Sequence, residues 1–347
     1  MVKRRKMIKD FVKEVEDSVK KPVEKLFSGR FDKVVSTGST LLDLAISGGR
    51  VRGGGIPGGI IFEIFGPPGT GKTGVLAEIG ASVQMRGGQI AFLDPEARLD
   101  REYSEMMGIP IPKEFYCQPD FVSELFKFVN EWKPKTGDVT NVILADSLTA
   151  LSTELQDEGK DQYGMKRAKD FSEGLRHVCR KIAKSGWVIA CSNQVREGPL
   201  GESVPGGKGI PFYASVRVRV GPHSSGKYIK GSMTTKAGYK IEKKYGIRSI
   251  CIVKKNTVDD PFREVPVTFL FGYGIDDVRE NIQYVKEVTK VDRYDCLGKE
   301  YRGIEQAIKH IEDNNLMEDL RNKVIDLWED IEKRFKEKSI RERKRRI

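Results

Sequence analysis

The chain has 347 residues, enough for one large α/β domain with one or two small ones. Its net charge is +11, and that excess sits at the ends: residues 1–30 carry ten basic and five acidic side chains, and residues 333–347 carry nine and two. No apolar run approaches the ~20 residues that span a bilayer as a helix, and the five cysteines form no C-x-x-C pair, which argues against a transmembrane helix and a disulfide scaffold and predicts a reducing, cytoplasmic setting without a structural metal.

Residues 5–27 place Ile8, Phe11, Val12, Val15, Val19, Val23 and Leu26 three or four apart, predicting an amphipathic helix that must bury its stripe on the chain's own core or on a neighbouring copy. The segment S-T-G-S-T-L-L-D-L-A-I-S-G-G then predicts a short strand and a turn, followed by a helix capped by Ser39 or Thr40 and ended by Gly48.

An apolar run, 60–65, enters G-P-P-G-T-G-K-T, and a helical segment, 74–85, leaves it. Residues Gly66, Pro67, Pro68, Gly69, Thr70, Gly71, Lys72 and Thr73 fit G-x-x-x-x-G-K-[ST], with Gly74 following. Glycines let such a loop turn its N–H groups inward, and the helix start adds a favourable dipole for phosphate. Lys72 then reaches the terminal phosphates and Thr73 offers its hydroxyl to Mg²⁺. On the loop alone, motors, switches and kinases all remain open.

Strands at 89–93, 114–117, 142–146 and 187–192 alternate with helices at 101–107, 121–132 and 166–184, predicting a mainly parallel sheet covered on both faces. The strand V-I-L-A-D-S ends in Asp146, a candidate metal-side carboxylate. Glu96 stands just past the strand I-A-F-L-D-P-E and is a candidate for polarising the attacking water. Gln194 follows a third apolar strand, 187–193, and immediately precedes a glycine-rich stretch, a candidate γ-phosphate sensor. Two polar stretches, 156–164 and 196–209, are candidate binding loops.

From 213 the pattern turns to β: S-V-R-V-R-V alternates, residues 221–238 read as turn-rich, and strands follow at 248–253 and 264–271, extending the sheet antiparallel. Residues 217–255 hold eleven basic side chains against the single acid Glu242, which with the basic ends predicts a polyanionic partner, most simply nucleic acid. Residues 275–335 predict a small helical or α+β unit, and 336–347 a basic tail.

Together, S-T-G-S-T-L-L-D-L-A, A-F-L-D-P-E-A-R-L-D, A-D-S-L-T-A-L, S-N-Q-V-R and G-G-K-G-I-P-F-Y-A-S-V-R-V resemble the landmarks of the bacterial RecA recombinases and, more distantly, of the phage UvsX-type recombinases. The resemblance runs over about 33–335. It implies a RecA-like P-loop ATPase core, 33–274, between an N-terminal oligomerisation helix within 1–32 and a small C-terminal α+β domain, 275–335, with 336–347 as a tail. It implies that Glu96 is the catalytic glutamate, that Asp100 and Tyr103 contact the adenine, and that Asp146 and Gln194 act as metal-side acid and sensor.

The two stretches then correspond to DNA loops. Their contacts come from Lys160, Met165, Lys166 and Arg167, and from Arg196, Leu200, Gly206, Gly207 and Lys208. Lys255 matches a lysine that reaches a neighbour's ATP; Thr257 stands where a second is expected, with Lys254 as a substitute. The implied partners are single-stranded DNA, homologous duplex DNA and further copies of the chain in a helical filament, with rings as a DNA-free form. The implied cofactors are ATP and Mg²⁺, and the implied setting is the cytoplasm of a bacterial, archaeal or phage-infected cell. A RecA-like ATPase working as a helicase-type motor or accessory factor is the alternative at this stage.

Overall fold

The computed structural model describes residues 30–97, 115–135, 139–153, 165–198, 201–203 and 209–339. The expected helices 5–27 and 101–107, the loop 156–164 and most of the tail lie outside these residues.

The organising element is the sheet order β14-β13-β12-β10-β3-β7-β6-β4-β5, with β11 paired to β12. Its strands are β3 (Ile61–Gly66), β4 (Ile90–Leu93), β5 (Tyr116–Cys117), β6 (Val142–Ala145), β7 (Val188–Gln194), β10 (Val216–Pro222), β11 (Tyr228–Thr234), β12 (Lys240–Asn256), β13 (Glu264–Leu270) and β14 (Gly274–Ile275). From β10 to β5 every pairing is parallel. Beyond β10 every pairing is antiparallel. A smaller ribbon joins β1 (Arg30–Val35) to β2 (Ile56–Gly58), and β8 (Arg196–Gly198) pairs with β9 (Gly201–Ser203) inside the second candidate loop.

Helices cover both faces, so the central strands are buried throughout and read as apolar runs without alternation. On one face α1 (Thr40–Ser47) and α2 (Lys72–Met85) pack with Phe62 and Ile64 of β3. On the other, α3 (Val122–Glu131), α4 (Met165–Ser185) and the short α5 (Gly209–Tyr213) pack with Ile61, Ile143 and Ile189. Past β14 come α6 (Asp277–Thr289), a small β15–β16 ribbon (Tyr294–Asp295, Glu300–Tyr301), α7 (Ile304–Asp313) and α8 (Met317–Ser339). Their buried side chains, among them Ile282, Ile311 and Val324, join the α1/α2 core.

The region 221–238 is not mainly turn. Residues 228–234 form β11, paired with the first half of the 17-residue β12, so the strand expected at 248–253 begins eight residues earlier. Away from its root, where Gly246 and Ile247 are buried, this hairpin is largely exposed. Its pairing is carried by backbone hydrogen bonds, so no period-2 apolar signal announces it. Residues 209–213, between the expected loop 196–209 and the β pattern from 213, are the helix α5.

At the start of α1, Ser39, one of the two expected caps, accepts from Leu42 N. The neighbouring Asp43 is fully buried and gathers Ser36 Oγ at 2.5 Å, Thr37 N at 2.7 Å and Thr37 Oγ1 at 2.8 Å. Burial pushes its carboxyl up from an ordinary 3.8 to about 6, against the lowering effect of those hydrogen bonds. The folded state therefore holds the Asp43 proton more tightly than the unfolded chain. The associated stability is present below about pH 4 and is lost as pH rises to about 6. Relative to Asp43→Asn, the parent protein is expected to lose about 3 kcal/mol of unfolding free energy across that window. Denaturant titrations at several pH values measure it, and parallel profiles for the two proteins would refute it.

Candidate nucleotide site

The parallel strands β3, β7, β6 and β4 are consecutive neighbours, so their carboxyl ends form one edge, the place where open α/β sheets bind ligands. Along that edge stand the P-loop after β3, Gln194 at the end of β7, Asp146 after β6 and Glu96 after β4. A cavity of about 570 Å³ opens there. It is lined by Pro68 to Gly74, Glu96, Asp146 and Gln194, with Ile247, Phe269 and Phe271 forming an apolar wall.

The loop is shaped by its glycines. Gly71 has φ +90°, and a Cβ there would lie 2.4 Å from the Phe269 ring, so any side chain is excluded on both counts. A Cβ on Gly66 would lie 2.0 Å from Val220 O of β10. Gly71 also begins α2 without a side-chain cap, which leaves the first-turn N–H groups of the helix facing the cavity mouth as anion donors.

Lys72 folds over this loop, donating to Gly66 O at 3.0 Å and Pro67 O at 2.8 Å. Its pKa is lowered by burial, with the charges of Asp146 and Glu96 opposing. Thr73 Oγ1 donates to Asp146 Oδ2 at 2.6 Å, and Ser192 Oγ donates to Asp146 Oδ1. Burial raises the Asp146 pKa, while both hydroxyls hold it down. One hydroxyl and one carboxylate side by side fit a small hard cation that keeps several of its waters.

Glu96 Oε1 accepts from Ser147 Oγ at 2.6 Å and from Gln194 Nε2 at 3.4 Å. Gln194 N donates to Thr149 Oγ1 at 3.0 Å, Thr149 Oγ1 donates to Asn193 Oδ1 at 3.2 Å, and Asn193 Nδ2 donates to Glu63 Oε1 at 2.7 Å. Glu63, wholly buried, also pairs with Arg217 of β10. Ser147, Thr149, Ser192, Asn193, Glu63 and Arg217 carry no expectation in the sequence reading. For Glu63 a signal existed: a carboxylate inside the apolar run I-I-F-E-I-F must have a buried partner.

Other expected site residues are placed elsewhere. Lys255 does not line the cavity; its Nζ donates to Pro211 O at 3.0 Å and Phe212 O at 2.7 Å in α5. Arg167 turns inward, donating to Leu148 O at 2.8 Å and Thr149 O at 3.0 Å. Lys166 pairs with Asp170 at 2.9 Å along α4, which Met165 begins, and Arg196 begins β8. Asp100, Tyr103, Lys160, Leu200, Gly206, Gly207 and Lys208 lie outside the described residues.

A family model described as the RecA N-terminal domain matches residues 6–276. A curated relative named Protein RecA from Rippkaea orientalis is 33% identical over 296 residues, covering 81% of this chain and 79% of that protein. Another Protein RecA, from Thermus thermophilus, is 34% identical over 310 residues, covering 84% of this chain and 85% of its own length. Among the described residues no helix is long and apolar enough to cross a membrane. A P-loop, an acid, a glutamate and a glutamine on one sheet edge, within a chain alike to these proteins over most of its length, make this a member of the RecA family of recombinases.

Proposed function

We propose that the protein is an ATP-dependent homologous recombinase: copies assemble as a helical filament on single-stranded DNA, sample homologous duplex and exchange strands, and hydrolysis releases the product. The observation that carries this is the convergence of Lys72, Thr73, Glu96, Asp146 and Gln194 from four separate strand ends on one cavity.

In this reading the loop N–H groups and Lys72 hold the phosphates, and Thr73 and Asp146 hold Mg²⁺, which would supply charge neutralisation at the phosphate oxygens. Glu96 orients the attacking water and takes its proton, with its carboxylate positioned by Ser147. Gln194 senses the terminal phosphate and passes its presence into the segment 196–209, whose β8–β9 ribbon starts two residues later. The N-terminal helix within 1–32 packs on a neighbouring copy, 33–274 form the ATPase core and 275–335 a small C-terminal domain. Lys255 faces the neighbour's nucleotide rather than its own. The bacterial relatives support a cytoplasmic setting.

The test pairs two assays, DNA-stimulated ATP hydrolysis and three-strand exchange with homologous against heterologous duplex. Homology-dependent exchange is expected; hydrolysis without it would overturn the recombinase reading. Lys72→Ala is expected to weaken ATP binding about 10²-fold, the loss of charge-assisted contacts to phosphate. Equilibrium binding of a fluorescent ATP analogue measures this, and unchanged affinity would remove Lys72 from the phosphate site.

A further inference from the structure

The P-loop rests on the root of the β11–β12 hairpin. Ser249 Oγ donates to Thr70 O at 2.9 Å, Val220 O closes against Gly66, and Ile247 lines the cavity. At that root the backbone of Lys227 is fixed by strand pairing: Arg248 N donates to Lys227 O at 2.8 Å, and His223 N donates to Arg248 O at 3.2 Å. The Lys227 side chain reaches the loop itself, with Nζ only 3.5 Å from where a Cβ on Gly69 would stand. Its Nζ also lies 5.5 Å from the centroid of the neighbouring Tyr228 ring.

Two ammonium groups therefore gather at one phosphate-shaped loop, and Lys227 is among the charges that act on Lys72. Like charges held together are unfavourable unless an anion lies within reach of both. Gly69, with φ +65°, leaves the approach open.

We propose that Lys227 is a second phosphate-contacting cation of the nucleotide site, supplied within the same protomer from the root of the basic hairpin. The proposal rests on the reading of the P-loop as the nucleotide site. It gives the hairpin a role at the nucleotide as well as any contact with DNA.

The test is the equilibrium binding of N-methylanthraniloyl ATP, with Mg²⁺ and without DNA, to the full chain and to Lys227→Met, Lys227→Arg and Lys72→Ala. Lys227→Met is expected to weaken binding about tenfold, and Lys227→Arg, which keeps the charge, to stay within about threefold. Salt should weaken the parent protein's binding more steeply than that of Lys227→Met. Unchanged affinity in Lys227→Met beside lost affinity in Lys72→Ala overturns the inference alone. Unchanged affinity in both overturns the nucleotide reading of the loop as well. A loss in Lys227→Met that Lys227→Arg does not recover overturns a charge contact in favour of packing.

Discussion

Glu96→Gln is expected to lower ATP turnover by about 10²- to 10⁴-fold, the usual contribution of a positioned base, with nucleotide affinity nearly unchanged. The amide has the size of the carboxylate and keeps an oxygen for the Ser147 hydroxyl, 2.6 Å away, but it cannot accept the proton of the attacking water. The groups proposed to hold the phosphates, Lys72 and the start of α2, are separate from it. Binding and chemistry should therefore part company. In the proposed cycle turnover ends the DNA-bound state, so complexes of this variant on single-stranded DNA should persist in ATP. Single-turnover hydrolysis and dissociation after a competitor challenge measure the two halves, and rapid dissociation in ATP would remove Glu96 from the role.

Glu63→Ala is expected to destabilise the protein by about 3–5 kcal/mol, the cost of breaking a buried ion pair by removing one partner. Glu63 sits at the centre of the sheet with no exposure, holding Arg217 on one side and Asn193 at 2.7 Å on the other. Its loss strands a guanidinium that is only 16% exposed and an amide that has no exposure. Replacing both partners by apolar residues, Glu63→Leu with Arg217→Met, should recover much of the stability, because no uncompensated charge remains. Denaturant unfolding without nucleotide or DNA separates the cases. Equal stability of Glu63→Ala and the parent would mean that the pair contributes nothing. The pair also ends a hydrogen-bond chain that runs from the backbone N of Gln194, the proposed phosphate sensor, through Thr149 and Asn193. The double variant should therefore fold yet respond less to the terminal phosphate.

The local chemistry was legible from the chain because it is written in contiguous residues. G-P-P-G-T-G-K-T, the strand ends at Glu96, Asp146 and Gln194, the Ser39 cap and the parallel pattern of apolar runs each depend on spacing that a reader can count. The strand order β10-β3-β7-β6-β4 depends on which strand pairs with which, and crossover connections leave no trace of that choice in spacing. That order alone decides that Gln194 meets Glu96, that Ser192 meets Asp146, and that Glu63 meets Arg217.

The hairpin shows the same limit from the other side. Its polar, basic residues have no buried face, so their composition reads as turn, while backbone pairing makes them strand and carries Lys227 to the P-loop. Arg167, a DNA contact by the resemblance, likewise gains partners no spacing announces: the packing of α4 brings the carbonyls of Leu148 and Thr149 within reach of its guanidinium. By itself the sequence determined which groups could do phosphate chemistry and roughly where strands and helices run, because those depend on residues near in the chain. Only the tertiary structure decided which groups share a cavity, because that depends on pairings between residues far apart, and burial then set their partners and charges.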